Sequence, residues 1–446
     1  MAAASTLLHS LRWRIAFLVS AAIAISYLDR QTLPWALSSI QKDIPISNEI
    51  KATLDSAFLF TYGLMYLGGG RLLDLLGTRR GFALIMLFWS ISCASHGLAG
   101  NYGLPLVFGF SFSVLMLAGS RLLLGMGEGG GFPAATRVVA EWFPVNERST
   151  AMGIINGGSA VGQVVAPLLI WWVLDRVTWF GLVPWRWVFI LTGWLGLLWT
   201  LWWWLSYQAP EQHSQLSAEE RALIQSSSNT PASELGPVIS LKTLLSFRET
   251  WAVIFAKFLS DGAWYFYIFW LPRFLKDVFA LDINAAWKIG WIPYGASGLG
   301  CLCGGALSSW LLRRGVTINA SRKIALGASA ALMPWVMLVP SMHSVGWVIF
   351  IFSLAFFGQQ SWSTLVMILP TDMIPKRALG TLAGLVGLGG AMGGVALGQV
   401  AGYLRDHHYS FAPVLYISGS LHVLAFLLIC LAIPRIQRLN IQAESR

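Results

Sequence analysis

The sequence predicts an all-α integral membrane protein of twelve transmembrane helices in two six-helix halves. Three observations lead there. Of 446 residues, 56% are hydrophobic and only 11% charged, whereas about 25% of a soluble chain is charged. Twelve apolar runs approach the length of about 20 residues that a bilayer-spanning helix needs. A polar stretch divides them six and six, as an internal duplication would. Such a composition excludes a disordered chain, a disulfide scaffold and most soluble enzymes.

The first six runs fall at about 13–37, 54–73, 81–99, 111–140, 150–174 and 186–206. The second six fall at about 250–275, 286–312, 322–340, 345–371, 379–403 and 411–433. The halves are therefore expected at 1–206 and 249–434, with a linker at 207–248 and a tail at 435–446. Arg12 and Arg14 ahead of the first run mimic a secretory signal, but apolar character resumes after Asp29-Arg30, so the segment reads as a first transmembrane helix. In the linker, Ser217-Ala218-Glu219-Glu220 reads as a capping box opening a short helix through about Gln225, within a solvated connector. Trp199, Trp202, Trp203 and Trp204 gather where the sixth run meets the linker and read as headgroup-level anchors.

Orientation follows from the 30 Lys and Arg. With the N-terminus inside, 19 fall in inside segments and 8, Lys51 among them, in outside segments. That bias places both termini and the linker in the cytoplasm. The net charge of +10 is thereby explained by topology and does not call for nucleic acid. Cys93, Cys301, Cys303 and Cys430 lie in apolar runs without a CxxC pair and read as small buried residues. No cofactor or metal is expected. His407-His408 lacks further ligands, and no GxxxxGK[ST], HExxH or GxSxG motif is present.

Between the second and third runs stands Gly70-Arg71-Leu72-Leu73-Asp74-Leu75-Leu76-Gly77-Thr78-Arg79-Arg80, a GxxxDxxGxRR motif. Gly70 would let two helices approach. Asp74 would end a helix and meet an arginine or a helix N-terminus. Gly77 permits a tight turn, and Arg79 and Arg80 hold the loop in the cytoplasm. Together they read as a conformational latch. Here the chain resembles the major facilitator superfamily. The second half carries a partial counterpart, Gly304 to Arg314, without the aspartate. Tyr27-Leu28-Asp29-Arg30, the Arg121–Ala135 segment with Gly125, Glu128 and Phe132-Pro133, and Glu141-Trp142-Phe143-Pro144 followed by Glu147-Arg148 resemble the anion:cation symporter branch. Within it the chain is most similar to bacterial hexuronate transporters. The resemblance implies that Arg30 takes the substrate's acid group, that Tyr27 and Tyr62 face the cavity, and that Asp29 is a protonatable coupling residue.

Six charges fall inside spans: Asp29, Arg30, Arg121, Glu128, Lys257 and Asp261. Each costs about 2.5–3.5 kcal/mol at the bilayer centre on insertion scales, so they are either mutually neutralising pairs or groups that handle ions. Tyr27 and Arg30 share a helix face. Asp29 points elsewhere, and a salt bridge to Arg121 is its structural alternative. Glu128, among glycines, suits a proton carrier, with Arg121 seven residues earlier as charge partner to it or to a neighbouring acid, and Pro133 expected to kink or interrupt the helix. Lys257 and Asp261 have ion-pair spacing; alternatively Lys257 meets the substrate. Several relatives carry glutamine where Lys257 stands. Asn156, Ser159 and Gln163 on one face, with Gln359, Gln360 and Trp362, suit sugar hydroxyls and C–H groups, or else hydrogen bonds between helices. Gly390, Gly394 and Gly398 suggest close helix packing.

The expected function is proton-coupled uptake of a sugar acid, a hexuronate such as glucuronate or galacturonate, across a cell inner membrane. Its partners would be the organic anion, protons and the bilayer, and the protein would act as a monomer. Efflux or uptake of another organic anion is the alternative within transport. A membrane receptor would need an output domain, and an enzyme would need a catalytic constellation.

Overall fold

The computed structural model describes residues 10–100, 106, 109–144, 147–213, 215–228, 241–374, 376–437 and 439. The first group of helices is α1 (Leu11–Ile40), α2 (Asn48–Ser95), α3 (Phe112–Glu128), α4 (Gly131–Trp142), α5 (Arg148–Arg176) and α6 (Pro184–Ser206). The linker carries α7 (Ala218–Ser228) and α8 (Leu241–Leu245). Then come α9 (Arg248–Phe279), α10 (Ile283–Gly290), α11 (Ile292–Arg313), α12 (Ile318–Ala330), α13 (Val345–Met373), α14 (Lys376–Asp406) and α15 (Ala412–Ala432). Among the described residues, nine helical stretches are long and apolar enough to cross a membrane. One of them holds two spans, since α2 breaks at Gly77. Consecutive α3 and α4, and the charge-bearing α9, complete the twelve.

Local chemistry sets the breaks. Gly77 has φ 72° and ψ 163°, a region open essentially to glycine alone. The fourth span is interrupted at Gly129-Gly130, ahead of Pro133. Pro133 lies in the first turn of α4, where its missing N–H removes no helical bond. The expected interruption is present, but it falls at the glycines before Pro133 rather than at the proline itself. Large side chains such as Leu201, Leu205, Leu302, Phe350 and Leu431 are exposed along the helices. So much apolar surface suits contact with lipid rather than water.

The chain forms two compact units. One gathers the chain up to Ile44 with Leu64–Glu234, the other Pro45–Gly63 with the chain from Leu235 onward. In the first, α1 packs against α5. A Cβ on Gly158 or Gly162 would lie 2.2 or 2.0 Å from the carbonyl oxygens of Ser20 and Ala24, so only glycine fits. In the second, α14 packs against α9. Gly398, expected in that contact, has open space around it, and the close approach is made by Gly393 against Phe258.

The opening turns of α2 belong to the second unit. Asp406, at the end of α14, accepts from Asn48 N at 2.9 Å, Asn48 Nδ2 at 2.8 Å and Glu49 N at 2.8 Å. It thereby caps helix donors that have no intrahelical partner. Lys51, counted above as an outside-loop charge, is instead a buried helical residue, 1% exposed. Its Nζ lies 2.6 Å from Asp55 Oδ2 and 4.1 Å from the Trp270 ring centroid. A Lys four residues before an Asp is the signal that reveals it.

The GxxxDxxGxRR segment is held by partners outside the motif. Asp74 pairs with Arg137 of α4. Arg137 also donates to Thr78 at 3.0 Å and Glu141 at 3.1 Å, and Glu141 accepts from the Tyr207 hydroxyl at 2.7 Å. Arg79 donates to the Trp204 carbonyl at 2.6 Å, while the Trp203 indole donates to the Arg79 carbonyl at 3.0 Å. Arg80 is exposed. Two expectations change. Gly70 has open space around it, and the close approach belongs to Gly69 against Gly130. Trp199 and Trp203 are buried and stacked on each other, so only Trp202 and Trp204 are exposed as anchors would be.

The linker helix starts as the capping box predicts, with Glu220 N donating to Ser217 Oγ at 3.1 Å, and runs on to Ser228. The connector is nevertheless anchored rather than merely solvated. The Glu220 carboxylate accepts from Ser10 Oγ, from Leu11 N and Arg12 N at 3.4 and 3.1 Å, and from Arg12 Nη1 at 3.0 Å. It thus caps α1 from 208 residues away. Partial burial raises the Glu220 pKa, but the bonds from Ser10 and Arg12 outweigh it and hold the carboxyl below its ordinary 4.5. The stabilisation is therefore fully present above about pH 4.5 and fades as pH falls through the lower folded value. Hydrogen-exchange protection over residues 10–14, relative to the intrinsic rate at each pH, should fall on that descent in the wild type, and Glu220→Gln should lack it throughout. An unchanged exchange profile in Glu220→Gln would contradict the capping role.

Candidate functional site

Each unit contains its own buried network of charged and polar side chains. In the first, α1 supplies Ser26, Tyr27, Asp29 and Arg30, α2 supplies Trp89, and α3 supplies Arg121 and Glu128. Arg30 Nε lies 2.7 Å from Glu128 Oε2, with the two side chains 2% and 0% exposed. Ser26 Oγ donates to the same oxygen at 2.6 Å. The Arg30 guanidinium stands 4.4 Å from the centroid of the Tyr27 ring, a cation–π arrangement that stabilises a desolvated charge. Glu128 Oε1 has no hydrogen-bond partner among the described residues. Pro34 lies four residues beyond Arg30 in α1, so the Arg30 carbonyl receives no helical bond and the backbone is prone to bend there. Gly127 brings α3 against Trp89, where a Cβ would fall 2.5 Å from the Trp89 Cβ.

This geometry corrects one pairing. Arg121 was expected to hold Glu128 or a neighbouring acid; the cation in contact with Glu128 is Arg30. Spacing along α3 shows which residues share a face but not which helix lies opposite. Asp29 accepts from the Trp89 indole at 2.9 Å and is fully buried. Ser159 and Gln163 turn their donors to their own helix, to the Asn156 carbonyl at 2.7 Å and the Ser159 carbonyl at 3.1 Å. Those two donors are thus spent on backbone rather than presented to a sugar. Asn156 is half-buried.

In the second unit, Lys257 Nζ lies 2.9 Å from Asp261 Oδ1 and donates to Ser363 Oγ at 2.7 Å. Gln359 Nε2 donates to Asp261 Oδ1 at 3.2 Å, and Gln359 Oε1 meets His422 Nε2 of α15. Because a carboxylate only accepts, the Gln359 amide orientation is fixed and His422 must be the donor through Nε2. A Cβ on Gly390 would lie 2.3 Å from Asp261 Oδ2, so glycine leaves room for the carboxylate. His422 escaped the sequence reading; a histidine in the middle of an apolar run was its only signal. Trp362, expected to stack on a sugar, is corrected to a core residue. It is 0% exposed, packs in an apolar cluster and meets the His422 ring edge-on. Gln360 is half-buried. Tyr62 is buried and stacked on Phe58. Among the described residues no group of three or more metal-binding side chains occurs.

A family model for the Major Facilitator Superfamily matches residues 19–398. The chain belongs to the major facilitator superfamily. Among relatives of this superfamily member, the hexuronate transporter of Escherichia coli K12 is 27% identical over 424 residues, covering 95% of this chain and 94% of that protein. The galacturonate transporter of Dickeya chrysanthemi is 30% identical over 330 residues, covering 73% of this chain and 90% of that one. The D-galactonate transporter of an Escherichia coli O6:H1 strain is 28% identical, covering 89% and 90%. The inward-open structure of the xylose transporter XylE from E. coli overlays with a TM-score of 0.71 at 13% identity, covering 95% of this chain and 96% of that one. That likeness supports the superfamily fold of twelve transmembrane helices. The protein is a multi-pass membrane transporter, and its relatives move small molecules.

Proposed function

We propose that this transporter takes up a sugar acid, with hexuronates as the leading substrate class, in symport with protons by alternating access. The observation that carries the reading is the buried Arg30–Glu128 contact, 2.7 Å long, in a chain whose relatives are named for hexuronate, galacturonate and galactonate. Arg30 is a permanent cation suited to carboxylates. An incoming carboxylate competes with Glu128 for it. A displaced, buried Glu128 is costly as an anion, so it takes a proton, and its Oε1 is open to receive one. Substrate entry and proton uptake are coupled in this way. Asp29 serves as a second protonatable group, and Lys257, paired with Asp261, is a further substrate-contacting residue.

Glu128→Gln should abolish proton-driven accumulation in proteoliposomes while counterflow of labelled glucuronate or galacturonate persists. Accumulation against a gradient at the wild-type rate would remove Glu128 from the coupling step. A panel that adds aldonates and aldarates decides the substrate class. The named galactonate and galactarate/D-glucarate transporters among the relatives favour that second reading. One monoanion with one proton moves no net charge and gains nothing from the membrane potential, which supplies about 2.3 kcal/mol per charge per 100 mV.

Both termini and the linker are proposed to face the cytoplasm. The Lys and Arg bias toward the segments on that side supports this orientation. A reporter active only in the periplasm, fused after Gln225, should be silent. Strong activity there would reverse the topology.

A further inference from the structure

The two buried networks support their acids differently. Among the described residues, Glu128 takes donors from Ser26 and Arg30 on Oε2 alone, and Oε1 has none. Asp261 stands at the end of a longer chain. Its Oδ1 receives Lys257 Nζ at 2.9 Å and Gln359 Nε2 at 3.2 Å. Gln359 Oε1 is held in turn by His422 Nε2.

The chain has a direction. An amide carries a donor end and an acceptor end. With the Gln359 donor end on a carboxylate, its acceptor end needs a donor, and His422 supplies it. His422 Nδ1 has no partner among the described residues, so no acceptor there draws the ring proton away from Nε2. A protonated ring would keep the same Nε2–H, so this support does not depend on the charge of His422. The His422 side chain is 0% exposed and meets the Trp362 ring edge-on, with centroids 5.6 Å apart.

Four helices build the network. Helix α9 brings Lys257 and Asp261, with Tyr265 one turn later. Helix α13 brings Gln359 and Ser363, and α15 brings His422. Helix α14 brings Gly390, whose missing Cβ leaves room for Asp261 Oδ2. Apart from Lys257, Asp261 and His422, the charged residues of these helices stand near the helix ends.

We propose that His422 is a positioning residue for substrate binding. Through Gln359 it keeps a donor on Asp261 when substrate draws off the Lys257 ammonium, so Asp261 stays ionised and this unit adds no proton to the transport cycle. The inference rests on the proposed contact between Lys257 and the sugar acid. Without His422 the Gln359 amide is free to turn and Asp261 loses its second donor. An unsupported buried carboxylate then takes a proton. Substrate binding would carry that extra proton, and affinity would fall as pH rises.

The test is glucuronate binding to the purified full-length protein across about pH 5.5–8.5. It is done in a Glu128→Gln parent, so that proton uptake proposed for the first network does not mask the effect. His422→Phe keeps a ring beside Trp362 and removes the donor. Relative to the parent, its affinity should fall with rising pH by up to about tenfold per pH unit, the slope of one linked proton. His422→Gln restores an N–H donor and should return the parent's profile. Gln359→Met breaks the chain one step earlier and should match His422→Phe, and melting curves confirm that both are folded. Lost packing alone would weaken binding equally at every pH. Parallel pH profiles in the parent, His422→Phe and Gln359→Met, with binding still weakened by Lys257→Gln, overturn the proposal and leave the Lys257 contact standing. Undiminished glucuronate binding by Lys257→Gln overturns that contact, and the proposal with it.

Discussion

Arg30→Met should destabilise the purified protein by about 3–5 kcal/mol, the range seen when one member of a buried ion pair is removed. The partner left behind, Glu128, is fully enclosed and would keep, among the described residues, only the Ser26 hydroxyl as a donor. Adding Glu128→Gln should return much of the loss, because the double variant buries no uncompensated charge. The pair should therefore show strong non-additivity in a double-mutant cycle, within the roughly 0.5–3 kcal/mol found for contacting residues. Additive effects of the two substitutions on denaturation would mean that the contact contributes nothing to stability. Sugar-acid binding separates the two roles of Arg30. The stable double variant should still bind substrate at least roughly tenfold more weakly than wild type, since the charge-assisted bond to the carboxylate is gone. Normal binding by that variant would move the acid site away from α1.

An effect of similar size is expected at a residue with no place in transport chemistry. Lys51→Ala should cost about 3–5 kcal/mol, because Asp55 is 3% exposed and loses the ammonium 2.6 Å away. Its contact with the Trp270 face disappears as well. Lys51→Met combined with Asp55→Leu should be near wild type or more stable, since apolar replacements of a buried pair are often neutral or better. Thermal melts of the three proteins check this. If Lys51→Ala melts with the wild type, the ammonium is not compensating a buried charge.

The two halves of the problem were unequally legible. Hydropathy carries the span count, because the bilayer forces length and composition on every crossing. It also places Arg30, Glu128, Lys257 and Asp261 among the informative residues, since a charge in an apolar run stands out. It does not choose partners. Arg30 and Glu128 are 98 residues apart, and nothing in helical spacing says that α1 and α3 meet at those positions. Lys51 misled for the opposite reason. A charge near the edge of an apolar run resembles a loop until its i,i+4 acid is considered. Trp362 looked like a sugar platform because aromatic type was read without its direction; on α13 it points into the core beside His422.

The opening turns of α2 bear on how such transporters can be recombined. A designer would cut the chain in the linker and exchange six-helix halves between relatives. That cut separates residues 48–63 from everything they touch in the second unit. The Asp406 cap on Asn48 and Glu49, the Gln399 amide bonded to Ser56 at 2.9 Å, and Trp270 over Lys51 would all come from the foreign parent. A Cβ on Gly402 would lie 2.6 Å from the Ala52 methyl and 2.9 Å from the Asn48 carbonyl oxygen, so position 402 must stay glycine. A linker-cut chimera therefore inherits a mismatched seam even when both parents fold well. Grafting residues 45–63 together with the second parent's α9 and α14 keeps that seam native, at the price of two junctions inside the first half, one of them within a continuous helix.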